Sequence, residues 1–197
     1  MTTAELLAAA AFSEDRHAQA FPSFGSERTG APVVSFCRLS DSPIRLHEPI
    51  LAPDALLIID PTLVHQVEVF AGLDQHTQVL INSSRTLHDL QLGDLLARCG
   101  PDHVRTVAAT ELAREELGRP LPNAASLGGF AALTGVVSIE SLLAAIRARF
   151  AGEVGEGNAR AASRAFELVA ADATVATGAT GATVATAATG ATGARDA

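Results

Sequence analysis

The charged pair Glu27 and Arg28 stands between Gly25 and Gly30 in a stretch broken by prolines, glycines and serines. Glycines admit backbone angles that other residues avoid and let a second surface come close. Arg28 could offer a planar, bidentate fork to a phosphate or carboxylate, a geometry lysine does not match. In an ordinary loop the same two residues would be a solvated pair of little energetic weight, and residue type alone leaves both readings open. A second group sits where strands are expected to end. Asn82-Ser83-Ser84 follows Val79-Leu80-Ile81, and Asp60 and Thr62 follow the apolar run 55–59. Open α/β sheets hold their ligands at the carboxyl ends of strands. The plainer reading of Asn82 and Ser83 is an Asx or serine turn that caps the helix expected at Leu87, and Asp60 and Thr62 carry the same ambiguity.

Other chemistries find no anchor. The histidines at 17, 47, 65, 76, 88 and 103 show no H-x-x-H or H-E-x-x-H spacing, so no metal site is expected. There is no G-x-S-x-G elbow for a nucleophilic serine. Gly128-Gly129 lacks the strand-then-G-x-G-x-x-G context of a dinucleotide site and reads as close helix packing. Cys37 and Cys99 are the only cysteines. Two thiols cannot supply the four thiolates that an iron–sulfur cluster usually takes, and both read as small buried apolar residues.

The elements that must position these residues follow from hydrophobic periodicity. Thr2 and Glu5 have the spacing of a capping box, opening a helix through Leu6, Leu7, Ala10 and Ala11. Residues 21–32 read as a loop and 33–39 as a strand. The continuous apolar run 55–59 is the pattern of a parallel strand covered on both faces. Asp60 and Pro61 stop it and are placed to start a helix carrying Leu63, Val67 and Phe70 on one face. Residues 79–81 and 104–108 predict two more strands, and 111–117, 124–133 and 139–150 predict helices. The last has Ser138 as its expected N-cap, an apolar stripe from Ile139 to Phe150, and Arg147 and Arg149 at the end that favours cations. Strands alternating with helices predict an α/β fold, a three-layer α/β/α arrangement around a mostly parallel, Rossmann-like sheet.

Composition bounds the rest. A chain of 197 residues, 48% hydrophobic, is long enough for one domain with a substantial core. Net charge is −8 and aromatic content 4%, neither of which suits nucleic acid. No apolar run reaches the roughly 18 residues of a membrane span and no secretory leader is evident, so a cytoplasmic location is expected, with no membrane partner. Residues 173–197 collapse to Ala, Thr and Gly with two valines and a final Arg-Asp-Ala. Such a low-complexity segment predicts a disordered C-terminal tail outside the 1–172 domain, whose removal leaves stability unchanged.

The motifs of residues 19–62 add a family. Gly25, Glu27, Arg28, Gly30, Ala31, Pro32 and Val33 fit G-x-E-R-x-G-A-P-V. Arg38 to Asp41 with Pro43, Ile44 and Arg45 fit R-[IL]-S-D-x-P-I-R. Pro53-Asp54, the apolar run and Asp60-Pro61-Thr62 complete the set. This resembles the gamma subunit of pyruvate:ferredoxin oxidoreductases. The stretch from Gly135 to Leu142 looks like the family's late helix entry, and Asn158 with Ala165-Phe166 like its closing N-x-x-A-F helix, so the likeness extends over about residues 1–170.

The resemblance implies the gamma component of a 2-oxoacid:ferredoxin oxidoreductase, most simply a pyruvate synthase oxidising pyruvate to acetyl-CoA. Thiamine diphosphate, magnesium, iron–sulfur clusters and coenzyme A are then expected in the assembled complex, with alpha, beta and delta subunits as partners and ferredoxin or flavodoxin as electron acceptor. This chain is expected to bind none of those cofactors alone: Gly93-Asp94-Leu95 only begins the thiamine diphosphate magnesium motif. No residue of this chain is expected to be catalytic. The loop with Gly25, Glu27, Arg28 and Gly30 would face partner subunits on the coenzyme A side. Arg28-Thr29-Gly30 departs from the commoner R-R-G or R-G, which leaves a branched-chain 2-oxoacid or indolepyruvate enzyme as alternatives, beside a non-catalytic α/β binding or scaffold module. Family members also carry a central strand and a G-x-G-G-Q-G loop before the first helix. This sequence, which opens at Met1-Thr2-Thr3-Ala4, lacks the matching segment, so neighbouring strands are expected to have unpaired edges.

Overall fold

The computed structural model describes residues 2–23, 32–65, 69–172 and 183–189. Its centre is built from the runs that periodicity singled out. Strands β3 (Ala55–Ile58) and β4 (Gln78–Asn82) lie side by side and parallel, pairing Leu56 with Val79 and Ile58 with Ile81. Side chains alternate across a strand. Leu57 and Leu80 therefore enter one core with Leu7, Phe130, Leu142 and Ile146, while Leu56, Ile58, Val79 and Ile81 enter another with Phe36, Leu95 and Val104. Burial on both faces explains why these strands are apolar throughout.

The sheet has six strands in the order β1-β2-β6-β3-β4-β5. Strand β1 is His17–Ser23, β2 is Pro32–Ser40, β5 is Val104–Val107 and β6 is Thr183–Thr189. Strands β6, β3, β4 and β5 run parallel, and β2 is antiparallel to both β1 and β6. One face carries the helices α1 (Thr2–Phe12), α3 (Ala109–Leu117), α4 (Asn123–Thr134), α5 (Ile139–Arg149) and α6 (Gly152–Asp172). The other is covered by α2 (Gly93–Cys99), a 3-10 turn at Pro61–His65 and the connections around Ile50, Leu73 and Leu90. The three layers are present and unequal in weight.

Small residues decide how the heavy layer packs. A Cβ on Gly128 of α4 would lie 1.9 Å from the Ala162 carbonyl oxygen of α6, so only glycine allows that approach. The arginines of α6 reach α3: Arg160 meets Glu116 at 2.8 Å, and Arg164 meets Glu115 at 2.7 Å and Glu116 at 2.9 Å. Ser138 caps α5 by accepting from the Ser141 amide at 3.2 Å, as the sequence predicts. It also donates its hydroxyl to Glu14 at 2.6 Å, and its amide donates to the same carboxylate at 2.8 Å. Burial alone would raise the Glu14 carboxyl, but these bonds, the Ser141 hydroxyl and the charge of Arg16 together hold it below its ordinary value.

Three elements differ from the sequence reading. Residues 21–23, expected in a loop, extend β1, and Pro22 is tolerated because β1 is the sheet's edge. The helix expected after Asp60 is a 3-10 turn ending at His65, and Val67 lies outside the described residues. Val64, Val67 and Val69 are β-branched and weaken a helix there. The helix expected at Leu87 is a turn, with α2 beginning only at Gly93. Residues 183–189, within the low-complexity C-terminal segment, form β6 between β2 and β3. Thr183, Val184, Thr186 and Thr189 are β-branched, and a strand paired on both sides needs no large side chains to be held. Residues 173–182 and 190–197 lie outside the described residues.

Candidate functional site

The parallel strands bring their carboxyl ends to one edge of the sheet, where open α/β folds hold ligands. Asp60 follows β3 there, and its Oδ1 accepts from the Thr62 amide at 2.9 Å and the Thr62 hydroxyl at 2.7 Å. Both polar groups of Thr62 are thereby turned back onto Asp60, which nucleates the turn at 61–65.

Asn82, the last residue of β4, is buried and acts as a clasp. Its Nδ2 donates to the Ile59 carbonyl at 2.8 Å and to Thr110 Oγ1 at 2.8 Å, while its Oδ1 accepts from the Thr110 amide at 3.1 Å. Helix α3 begins after Ala108, whose side chain cannot cap it. A strand 28 residues away supplies the cap instead. The Ser83 amide continues the ladder by donating to the Val107 carbonyl at 2.9 Å, and its hydroxyl accepts from the Arg85 amide at 3.0 Å. Asn82 thus ties β4 to the end of β3 and the start of α3, and Ser83 forms the turn that follows.

Beyond that turn lies an open groove of about 650 Å³ lined by Arg85, Leu87, His88, Asp89, Gln91 and Leu92. Thr86 and Asp89 cap each other reciprocally: the Thr86 hydroxyl donates to Asp89 Oδ2 at 2.7 Å and the Asp89 amide donates to Thr86 Oγ1 at 3.2 Å. The Thr86 hydroxyl and amide, with His88 and Arg85 nearby, hold the Asp89 carboxyl below its usual value. Arg85 donates to the Asp89 carbonyl. Sequence reasoning missed this cluster, although the T-x-x-D spacing of a capping box is legible at Thr86 and Asp89. It also missed Thr110, for which only the fold supplies the pairing with Asn82.

The loop with Gly25, Glu27, Arg28 and Gly30 lies outside the described residues, but its anchors do not. It joins Ser23 at the end of β1 to Pro32 at the start of β2. Pro32 pairs with Thr189, the last residue of β6. Because β6 runs parallel to β3, that end of the hairpin belongs to the edge that carries Asp60 and Asn82. Topology therefore brings the anchors of the charged loop and both strand-end groups to one edge, a convergence that spacing in the sequence does not reveal.

Donors for a metal are not gathered there: among the described residues no three His, Cys, Asp or Glu side chains converge to hold an ion. Cys37 and Cys99 are free and buried in separate cores. Burial pushes the Cys37 thiol up to about 12 and raises Cys99 as well. Two such thiols do not fit an iron–sulfur cluster, which takes four thiolates. No helix among the described residues is long and apolar enough to cross a membrane.

The model of the pyruvate ferredoxin/flavodoxin oxidoreductase family matches residues 1–168. The chain is 46% identical over 167 residues to the pyruvate synthase subunit PorC of Methanothermobacter thermautotrophicus, covering 85% of this chain and 87% of that one. It is 44% identical over 167 residues to the pyruvate/ketoisovalerate oxidoreductases common subunit gamma of Thermococcus litoralis, covering 85% and 89%. Among solved structures, pyruvate oxidoreductase subunit PORC from Thermotoga maritima superposes with a TM-score of 0.70 at 30% identity, covering 84% of this chain and 87% of that one. Motifs, topology and these three likenesses agree, and the chain belongs to the pyruvate ferredoxin/flavodoxin oxidoreductase family.

Proposed function

We propose that this chain is the gamma component of a pyruvate synthase-type 2-oxoacid:ferredoxin oxidoreductase. In that role it takes part in oxidising pyruvate to acetyl-CoA in the cytoplasm, with electrons passed to ferredoxin or flavodoxin. The observation that carries the reading is the 46% identity over 167 residues to a pyruvate synthase subunit. Thiamine diphosphate with magnesium, the iron–sulfur clusters and coenzyme A supply the hard chemistry and are held by the assembly of alpha, beta and delta chains. The part assigned to this chain is positional. The loop bearing Gly25, Glu27, Arg28 and Gly30 hangs from Ser23 and Pro32 at the carboxyl edge of the sheet. In the assembly Arg28 pairs with a carboxylate of a partner subunit or a phosphate of coenzyme A, a contact that arginine makes with two parallel bonds. Asp60, Thr62, Asn82 and Ser83 stiffen the ledge beside it.

A second substrate has specific support, since one relative is named as common to pyruvate and ketoisovalerate oxidoreductases. Co-expression of this chain with alpha, beta and delta partners, assayed by coenzyme A-dependent reduction of ferredoxin, tests the reading. Pyruvate is expected to be turned over, and omission of this chain to abolish activity. Turnover of 2-oxoisovalerate or indolepyruvate but not pyruvate overturns the substrate, and full activity without this chain overturns the role. Arg28→Ala is expected to lower turnover or assembly at least about tenfold, since removing a desolvated interfacial arginine commonly costs more than about 2 kcal/mol. Its circular dichroism and melting as a free chain should stay as in the wild type, and unchanged assembly and kinetics would return Arg28 to a surface role.

A further inference from the structure

We propose that the groove between α1 and α5 is a self-association surface, and that its occupant is a second copy of this chain. Helix α1 is apolar on every side beyond its first turn, where Glu5 is its sole charge. A helix of that kind belongs in an interior. Only part of it is covered: Leu6, Leu7, Ala10 and Ala11 are buried, whereas Ala9 is exposed and the large ring of Phe12 is 75% exposed. The neighbouring side of α5 leaves Ala144 and Ala148 exposed as well. Between the two helices runs an open, mainly apolar groove of about 430 Å³, with Glu5 and Arg149 on its rim.

The two rim charges identify what fits. Among the described residues neither Glu5 nor Arg149 takes part in an ion pair. The helices are antiparallel, because Glu14, just past the end of α1, accepts from the amide and hydroxyl of Ser138, which caps the start of α5. Each helix has 11 residues. Glu5 and Arg149 therefore stand at the same end of the groove, on opposite walls. A two-fold axis lying along the groove, in the plane between two copies, sets each α1 against the α5 of the other copy. Four helices with antiparallel neighbours result, the packing of an up-and-down bundle. The same axis puts Glu5 of each copy opposite Arg149 of the other, and covers Phe12 with the first turn of the second copy's α5. A two-fold across the groove would instead lay α1 on α1 and send the charges of the two copies to opposite ends. The rim is self-complementary only in the first arrangement.

Sedimentation of the free full chain at low salt is expected to show a dimer that dissociates on dilution. Symmetry doubles the effect of a charge reversal: Glu5→Arg creates two like-charged contacts with Arg149, and Arg149→Glu creates two with Glu5. Each should weaken the dimer at least about tenfold. Net charge alone predicts otherwise. The chain carries −8, so Glu5→Arg lowers the general repulsion between copies and would strengthen an association that does not use this pair. Arg119→Glu, at an exposed position outside the groove, alters net charge as Arg149→Glu does and should leave the dimer as in the wild type. An equimolar mixture of the Glu5→Arg and Arg149→Glu chains, each weak alone, should form a heterodimer, since both cross-pairs are then opposite in sign. A wild-type chain that stays monomeric at high micromolar concentration, a dimer indifferent to both reversals, or a mixture that fails to associate would overturn the proposal. So would protection of α1 and α5 from deuterium exchange that appears only when alpha, beta and delta chains are added, because that result gives the groove to a different subunit.

Discussion

Replacing Asn82 separates a structural clasp from a ligand-binding residue. Asn82→Ala removes three hydrogen bonds at once and leaves the Ile59 carbonyl and the Thr110 amide without their partner. The Thr110 hydroxyl can rotate towards another acceptor, but the two backbone groups cannot move without disturbing β3 or α3. An orphaned buried polar group costs about 1–3 kcal/mol, so two give about 2–4 kcal/mol after water enters part of the space. Against a domain stability of about 5–15 kcal/mol this is a large fraction. Urea unfolding followed by circular dichroism at pH 7 reads the change directly. Asn82→Asp sharpens the test, because it keeps an acceptor for the Thr110 amide but turns a carboxylate oxygen towards the Ile59 carbonyl, 2.8 Å from the present Nδ2. The protonated acid can donate there and the ionised one cannot, so the introduced carboxyl has a raised folded pKa. Its contribution is full below the unfolded value and is lost as pH rises through the folded value. Asn82→Asp should therefore gain stability relative to wild type between pH 7 and pH 5. An Asn82→Ala chain within about 0.5 kcal/mol of wild type would refute the clasp, since that is the scatter of ordinary surface substitutions.

Gly128→Ala should destabilise by about 3 kcal/mol or more, because its Cβ would meet a backbone carbonyl at 1.9 Å and helices α4 and α6 would have to part. Gly129→Ala should cost less than about 1.5 kcal/mol in the same unfolding assay, since its neighbours at 3.2–3.3 Å are side-chain ends of Leu80, Val169 and Val107, and alanine favours the helix. Glu14→Gln should narrow its deficit to wild type in acid: the Glu14 carboxyl is held below its ordinary value of 4.5, so its contribution is full above that pH and lost as pH falls through the folded value. Melting of both chains between pH 7 and pH 3 checks this, and a constant gap across the range would show that the Ser138 bonds do not depend on the charge.

What the sequence made legible was local. The apolar run at 55–59 announces a strand buried on both faces, and Leu56, Leu57 and Ile58 divide between two cores as that requires. Ser138 is readable as a cap because the serine and the amide it serves lie three residues apart. Gly128 is readable as a packing residue because the pattern around it excludes a nucleotide loop. What stayed hidden depends on distance or on position in the sheet. Pro22 argues against a strand until β1 is known to be an edge. Asn82 meets Thr110 only because β4 and β5 are neighbours and α3 follows β5, a contact across 28 residues that no spacing rule contains. After Asp60 the described residues Pro61–His65 form a 3-10 turn where a helix is expected: the capping geometry is right, but Val64 and the valines that follow are β-branched and poor helix formers.

The same reasoning links the candidate edge to the C-terminal strand. The anchors of the Glu27–Arg28 loop belong to the β1–β2 hairpin, whereas Asp60 and Asn82 belong to the parallel half of the sheet. Among the described residues these two halves share no direct strand pairing, and their common edge exists because Thr189 pairs with Pro32 while Ala187 pairs with Ile58. A strand made of threonine, valine and alanine thus fixes where the anchors of the charged loop stand relative to the strand-end ledge. If the loop positions a partner subunit or coenzyme A, the alignment of that contact depends on residues that touch neither. Substitutions in β6 should then impair assembly before they unfold the chain, because the hairpin can shift against the ledge while the core between β3, β4 and the helices stays packed.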